Sequence, residues 1–258
     1  MLRPDFSIEH LAATSAHFNG VLVPGRLIEG TVGRYAINVF VNNDDPKFPV
    51  GLRGTGTAIR FNGRELFVCT QHQLEGIDRQ AVGMMTEEGG TLVTSGGERH
   101  YTPTNETDAH DLVAFDFSEP VEALPQLRSR FFTFRRPDRI TGEAVGFLLT
   151  GFPYADQSYE VEDRNHIGVA RRQVLCTLDQ CPPADPALFR VVPREPLTFG
   201  PDGMSGGSAF VVRQYDGAFW IDFAGIVVRG GQNAFYVVKA GVVHQFLESC
   251  AWLPKRKA

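Results

Sequence analysis

Three residues of this 258-residue chain have the types needed for nucleophilic catalysis: Ser205 in GPDGMSGGSAFVVR, His72 in FVCTQHQLEG and Asp111 in DAHDLVAFDF. A serine hydroxyl is a poor nucleophile at neutral pH. It needs a base within hydrogen-bond reach, and the base needs a third group that fixes its tautomer and stabilises its charge. The transition state also needs amide donors aimed at the developing oxyanion. Ser205 lies between Gly203 and a Gly206-Gly207 pair, just ahead of an apolar, β-branched run. Gly203 lets the backbone turn so that the N–H groups of Gly203 and Ser205 converge on one spot, an oxyanion hole. Gly206 and Gly207 are expected to leave the approach of a substrate backbone unobstructed. His72 follows Phe67-Val68-Cys69, the end of a strand, so its ring is placed to point into a cleft. Asp111 directly precedes Leu112-Val113-Ala114-Phe115, where a carboxylate is costly unless paired, and a histidine supplies the partner. Taken singly, each has a plain structural alternative: a flexible turn, a loop histidine, a solvated aspartate before a strand.

These residues need elements to hold them. Short apolar, β-branched or aromatic runs, divided by glycine, proline, asparagine and aspartate, predict strands near 34–41, 55–61, 65–69, 80–85, 91–94, 112–117 and 130–134, and then near 144–150, 159–163, 168–178, 188–192, 208–214, 219–228 and 234–239. A short N-terminal helix is expected over 7–13, capped by Asp5 or Ser7, and a closing helix from Gly241 to Cys250 with Val243, Phe246, Leu247 and Cys250 on one face. Many short strands at regular spacing mean a sandwich or barrels, so the fold class is all-β. The segment 118–139, with three prolines and several arginines, reads as a connector between two halves. The chain divides into an extension (1–30), a first barrel (31–135) carrying His72 and Asp111, and a second (136–258) carrying Ser205 and the closing helix.

Composition narrows the function further. Apolar content is 43% and net charge is −5, an ordinary globular balance with no strong positive field. Nucleic acid and membrane are therefore not expected partners. No run approaches the ~20 apolar residues of a spanning helix, and Asp5, Glu9 and His10 stand where a signal peptide needs an apolar centre. A cytoplasmic location is the expectation. Cys69, Cys176, Cys181 and Cys250 form no CxxC pair and are expected to be free, buried thiols. No metal is expected: Asp108, His110, Asp111 and the nearby His100 match no dedicated cage.

His72, Asp111 and Ser205 fall in the order His, Asp, Ser, each at a strand boundary of a two-part β protein. On these residues, and on GTGTAIRFNGRELFVCTQH, DLVAF, DGMSGGSAFVV and FAGIVVRGG, the chain resembles trypsin-like serine proteases of the chymotrypsin superfamily over roughly residues 31–248. It is nearer to bacterial trypsin-like peptidases and Deg-type protease domains than to digestive enzymes. The resemblance implies two perpendicular six-stranded antiparallel barrels with the cleft between them. It implies His72 as general base and then acid, Asp111 as its orienter, Ser205 as nucleophile, and the amides of Gly203 and Ser205 as the oxyanion hole. It implies a peptide or protein substrate laid along the edge of Ile226-Val227-Val228-Arg229-Gly230, and no cofactor.

Gln71, Ser208 and Met204 depart from the family pattern. Met204 replaces the aspartate that, in digestive members, pairs with a freshly cut N-terminus, so control by that route is not expected. A regulatory protein partner is the expected alternative, as in an effector of a bacterial stress or antiphage system. Phe199, six residues before Ser205, lies near the expected floor of the primary pocket. With Val228 and Ala234 it predicts an apolar preference, while Arg229 points to an acidic residue instead. Two readings of different class remain: an active serine endopeptidase, and a pseudoprotease that keeps the fold and binds a peptide without cutting it.

Overall fold

A computed structural model describes residues 14–43, 46, 49–86, 91–95, 98–100, 111–135, 142–160 and 166–252. The strands are β1 (Ser15–Phe18), β2 (Val21–Pro24), β3 (Ala36–Asn42), β4 (Val50–Phe61), β5 (Arg64–Thr70), β6 (Val82–Met85), β7 (Leu92–Thr94), β8 (Glu98–His100) and β9 (Leu112–Asp116). They continue with β10 (Phe132–Thr133), β11 (Glu143–Gly151), β12 (Ser158–Glu160), β13 (His166–Gly168), β14 (Arg172–Leu178), β15 (Leu188–Pro193), β16 (Ser208–Tyr215), β17 (Ala218–Gly230) and β18 (Phe235–Lys239). Three short α-helices accompany them, α1 (Ile28–Gly33), α2 (Ser118–Ala123) and α3 (Ala240–Ser249).

The first sheet runs β7-β6-β3-β4-β5-β9-β8, with β10 added in parallel to β4, and stays open among the described residues. The second runs β16-β11-β14-β15-β18-β17 and closes, because β16 also pairs with β17. Two hairpins, one in each sheet, turn tightly through Asn or Asp followed by Gly. Asn62-Gly63 joins β4 to β5 and Asp216-Gly217 joins β16 to β17, both pairs in the left-handed region that a two-residue hairpin demands.

Alternation along the strands explains why the sequence shows apolar runs rather than alternating ones. In β5, Phe67 and Cys69 face the interior of the first sheet, while Leu66 and Val68 face a second core. In β9, Val113 and Phe115 face inward and Leu112 and Ala114 face that second core. From the other side, Phe210, Ile226, Val228 and Val238 enter the same core, whereas Val211, Val227 and Val237 fill the closed barrel. The central strands are buried on both faces. Helix α3 seals the shared core with Val243, Phe246 and Leu247.

An aromatic cluster joins the two sheets. The ring of Phe132 lies 5.3 Å from Tyr35, 5.3 Å from Phe210 and 4.9 Å from Phe223. Phe132→Ala is expected to cost about 3–5 kcal/mol, the range for emptying a buried aromatic site. Urea denaturation checks this as a lowered midpoint at unchanged slope.

Several expectations need correction. The segment 118–139 is more than a connector: beside the expected strand, here β10, it holds α2 and a 3-10 helix over Pro125–Arg130. Pro125 opens the 3-10 helix and Pro120 lies in the first turn of α2, where a missing N–H costs little. Residues 15–24 form a hairpin around Asn19-Gly20, and β1 then pairs in parallel with β17, so this stretch extends the second sheet. The expected helix over 7–13, together with Asp108 and His110, lies outside the described residues. None of the four cysteines forms a disulfide, but only Cys69 and Cys176 are buried; Cys181 is exposed and Cys250 half-buried. Burial pushes the Cys176 thiol up to about 12 and the Cys69 thiol higher than an ordinary thiol as well. Only the thiolate reacts. A disulfide-exchange reagent at pH 8 is therefore expected to modify Cys181 first, and Cys69 and Cys176 only after denaturation. Native-state reaction of all three at one rate would refute this packing.

Candidate active site

The ends of β5 and β9 bring His72 and Asp111 together. The two strands are antiparallel neighbours with Thr70 opposite Leu112, so the residues just past the end of one adjoin those just before the other. The Gln71 N–H donates to the Asp111 carbonyl at 2.8 Å and locks this corner. His72 opens a 3-10 turn, His72–Leu74. Its backbone N–H donates to Asp111 Oδ1 at 3.0 Å, and its ring Nδ1 lies 2.5 Å from Asp111 Oδ2. An ionised carboxylate only accepts, so Nδ1 carries the hydrogen and Nε2 is the nitrogen with a free lone pair. The His72 side chain is 50% exposed and that of Asp111 23%, so the imidazole stands at an open edge over a sheltered carboxylate.

Ser205 sits in the loop that feeds β16. Pairing of Ser208 with Ile226 draws this loop alongside β17, where Gly206 N–H donates to the Val227 carbonyl at 2.7 Å. Gly203 has φ +96°, a conformation that disfavours any side chain. The Asp202 carbonyl accepts from Tyr154 N–H at 2.8 Å. In a trans peptide the C=O and N–H point opposite ways, so this bond turns the Gly203 N–H away from Tyr154. Among the described residues, neither the Gly203 nor the Ser205 amide donates to any protein group. The Ser205 hydroxyl donates to the Val228 carbonyl at 3.2 Å, and no hydrogen bond joins it to His72.

Gly206 and Gly207 have a different reason from the expected one. A Cβ on Gly206, itself at φ +80°, would run into the Thr55 carbonyl of β4, and one on Gly207 would meet the Thr150 carbonyl of β11. Gly206 therefore answers to packing between the two sheets, and Gly207 to the close approach of β11 where it pairs with β16, rather than to substrate access.

The residues expected to face a substrate lie around this loop. Val228 is 4% exposed, packs in the shared core, and offers Ser205 its carbonyl. Arg229 is exposed, its guanidinium 5.2 Å over the Tyr236 ring. Gly230 pairs with Phe235, and Ala234 is buried beside it. Phe199 is half-buried against the core of the closed barrel, its carbonyl accepting from Gln232 Nε2 at 3.0 Å. The Arg172 guanidinium lies 5.7 Å from the Phe199 ring and bonds both carboxylate oxygens of Asp156, holding that carboxyl below the usual range. Met204 is fully buried in the barrel core, against Gly151.

Four residues around the loop were not anticipated: Thr55, Thr57, Thr70 and Gln73. Thr55 Oγ1 donates to the Gly203 carbonyl at 2.6 Å and accepts from Phe152 N–H at 2.8 Å, and Thr57 Oγ1 donates to the Gly206 carbonyl at 2.8 Å. Their signal is the GTGT stretch: two threonines two apart share one face of a strand, and a buried hydroxyl demands a partner.

No family model matches the chain, and no curated protein matches it. Solved structures do. Human heparin binding protein is similar, with 9% identity, 88% of this chain and 95% of that chain covered, and a TM-score of 0.52. A mutant of that protein is similar too, with 10% identity, coverage of 87% and 94%, and a TM-score of 0.52. The protease Anisep from Arthrobacter nicotinovorans has 12% identity, coverage of 84% and 94%, and a TM-score of 0.47. At such identities the likeness is one of fold. With the closed barrel, the open antiparallel sheet and the terminal helix, the chain has a chymotrypsin-like fold.

Proposed function

We propose that this protein is a serine endopeptidase with His72, Asp111 and Ser205 as its triad. The observation that carries the reading is the convergence of three features at one inter-sheet corner bridged by Gln73: an imidazole backed by a carboxylate at 2.5 Å, a serine on a loop whose glycines take positive φ, and two amides with no protein acceptor among the described residues. Rotation of the Ser205 side chain off the Val228 carbonyl frees its hydroxyl for the base, and such bonds tighten only with substrate bound. His72 Nε2 then takes the hydroxyl proton as Oγ attacks the scissile carbonyl, and the Gly203 and Ser205 amides receive the oxyanion. The protonated imidazole donates to the leaving amine, and water repeats the sequence on the acyl-enzyme. A peptide extends along Val228-Arg229-Gly230. The preference is apolar next to the cleaved bond, set by Phe199 and Ala234; a peptide-library digest dominated by cuts after lysine or arginine overturns that part.

One observation favours a second reading, a peptide-binding module without turnover: Ser205 Oγ rests on the Val228 carbonyl. The similar human structure is named for heparin binding, but a net charge of −5 disfavours a polyanion here. A fluorophosphonate probe decides between turnover and binding. Labelling of the full chain, lost in Ser205→Ala and His72→Ala, supports the peptidase; an unlabelled wild type supports the binding module.

A further inference from the structure

We infer that Gln73 is a positioning residue, whose side-chain amide holds the oxyanion loop in its working conformation; this rests on the peptidase reading. Gln73 is buried, directly follows the proposed base, and uses its whole hydrogen-bonding capacity. Its Oε1 accepts from Thr70 N–H at 3.0 Å and Thr70 Oγ1 at 2.8 Å. Its Nε2 donates to the Ser205 carbonyl at 2.7 Å and the Thr55 carbonyl at 3.2 Å. A backbone N–H faces one end and two carbonyls face the other, so the amide has only one satisfied orientation.

The consequence lies in which groups are held. Gln73 takes the Ser205 carbonyl, Thr55 takes that of Gly203 and Thr57 that of Gly206. Each carbonyl of the loop that faces the first sheet is thus anchored by one of its buried side chains. A held carbonyl fixes the opposite direction for the N–H of the next residue, so these three bonds orient the Met204, Gly206 and Gly207 amides, while the Gly203 and Ser205 amides share peptides with the Asp202 and Met204 carbonyls, which accept from Tyr154 and Gly207 N–H. The Met204–Ser205 peptide, whose N–H is the Ser205 oxyanion donor, thus lies between two anchored peptides, one held by Thr55 and one by Gln73, and is kept from flipping. Met204 is buried and uncharged, so no ion pair at that position can do this work. The same amide ties the 3-10 turn of His72 to the nucleophile loop, setting base and nucleophile in one frame across the two sheets. The loop is therefore assembled without a new N-terminus.

The test compares wild type with Gln73→Met, which keeps length and burial but loses all four bonds, and Thr70→Val, which keeps shape and removes only the Oγ1 donor. Gln73→Met is expected to lower kcat about 100-fold, the loss associated with one oxyanion donor, at a KM within about threefold. The affinity for a peptide boronic acid should fall in step with kcat/KM, since both depend on oxyanion donors. Thr70→Val should show the same split, smaller, and decides the matter where Gln73→Met does not fold. Rates are taken per fluorophosphonate-labelled site, so lost stability alone leaves them unchanged; unchanged rates overturn the proposal. Hydrogen exchange gives an arm independent of turnover. The amides of Met204, Gly206 and Gly207, bonded in the wild type, should exchange at least about tenfold faster in Gln73→Met. Unchanged exchange there refutes the clamp even if wild type proves unreactive. An unlabelled wild type with faster exchange in the variant instead refutes the peptidase and leaves the clamp standing.

Discussion

Ser205→Ala is expected to lower kcat for peptide hydrolysis on the order of 10⁶-fold, with little change in fold or melting temperature. The hydroxyl is the only group of Ser205 that alanine removes. Among the described residues its hydrogen-bond partner is the Val228 carbonyl at 3.2 Å. The Ser205 amide remains as an oxyanion donor, and the Ser205 carbonyl remains on Gln73. Residual turnover above water should therefore survive through the loop and substrate binding alone. His72→Ala should reach a similar level, and the double variant should fall no further, because nucleophile and base act as one unit. Steady-state kinetics on a cleavable peptide read all three. A Ser205→Ala variant that keeps a tenth of the wild-type rate would mean that another group carries the chemistry.

Asp111→Asn is expected to cost about 10⁴-fold in kcat, for a reason visible in the hydrogen bonds. Asp111 accepts twice from one residue, at Oδ1 from the His72 backbone N–H and at Oδ2 from the ring. Asparagine has one acceptor and one donor end. The backbone N–H cannot reverse its role, so it claims the Asn oxygen and leaves the NH₂ facing Nδ1. The imidazole must then accept at Nδ1 and carry its proton on Nε2, the nitrogen that has to receive the proton of Ser205. The fold should be unaffected, since the Gln71 N–H bonds the Asp111 backbone carbonyl, which the substitution leaves intact. Kinetics at neutral pH check the rate, and a melt checks the fold. A loss under about tenfold would sink the role given to Asp111.

Much of this arrangement is legible in the sequence. The runs LFVC, DLVAF, SAFVV and GIVV specify β5, β9, β16 and the end of β17 because each carries apolar residues on both faces. The identities of His72, Asp111 and Ser205 follow from their types at the ends of such runs. The Asn19-Gly20 turn was equally readable as a hairpin, by the same signal as Asn62-Gly63. What hid it is its position ahead of the predicted first strand, and its parallel partner, which no local pattern announces.

The remainder was decided by contacts between residues far apart in the chain. That Asp111 meets His72 depends on the register of β5 against β9, and the carbonyls of Gly203, Ser205 and Gly206 are held by Thr55, Gln73 and Thr57, more than a hundred residues away. Gly206 and Gly207 show the limit most plainly. Their glycine identity is plain in the sequence, but its cause is the approach of the Thr55 and Thr150 carbonyls. A sequence specifies local conformational freedom through residue type; which backbone closes on that freedom is set only when the two sheets pack, because burial and hydrogen-bond satisfaction are properties of the assembled core.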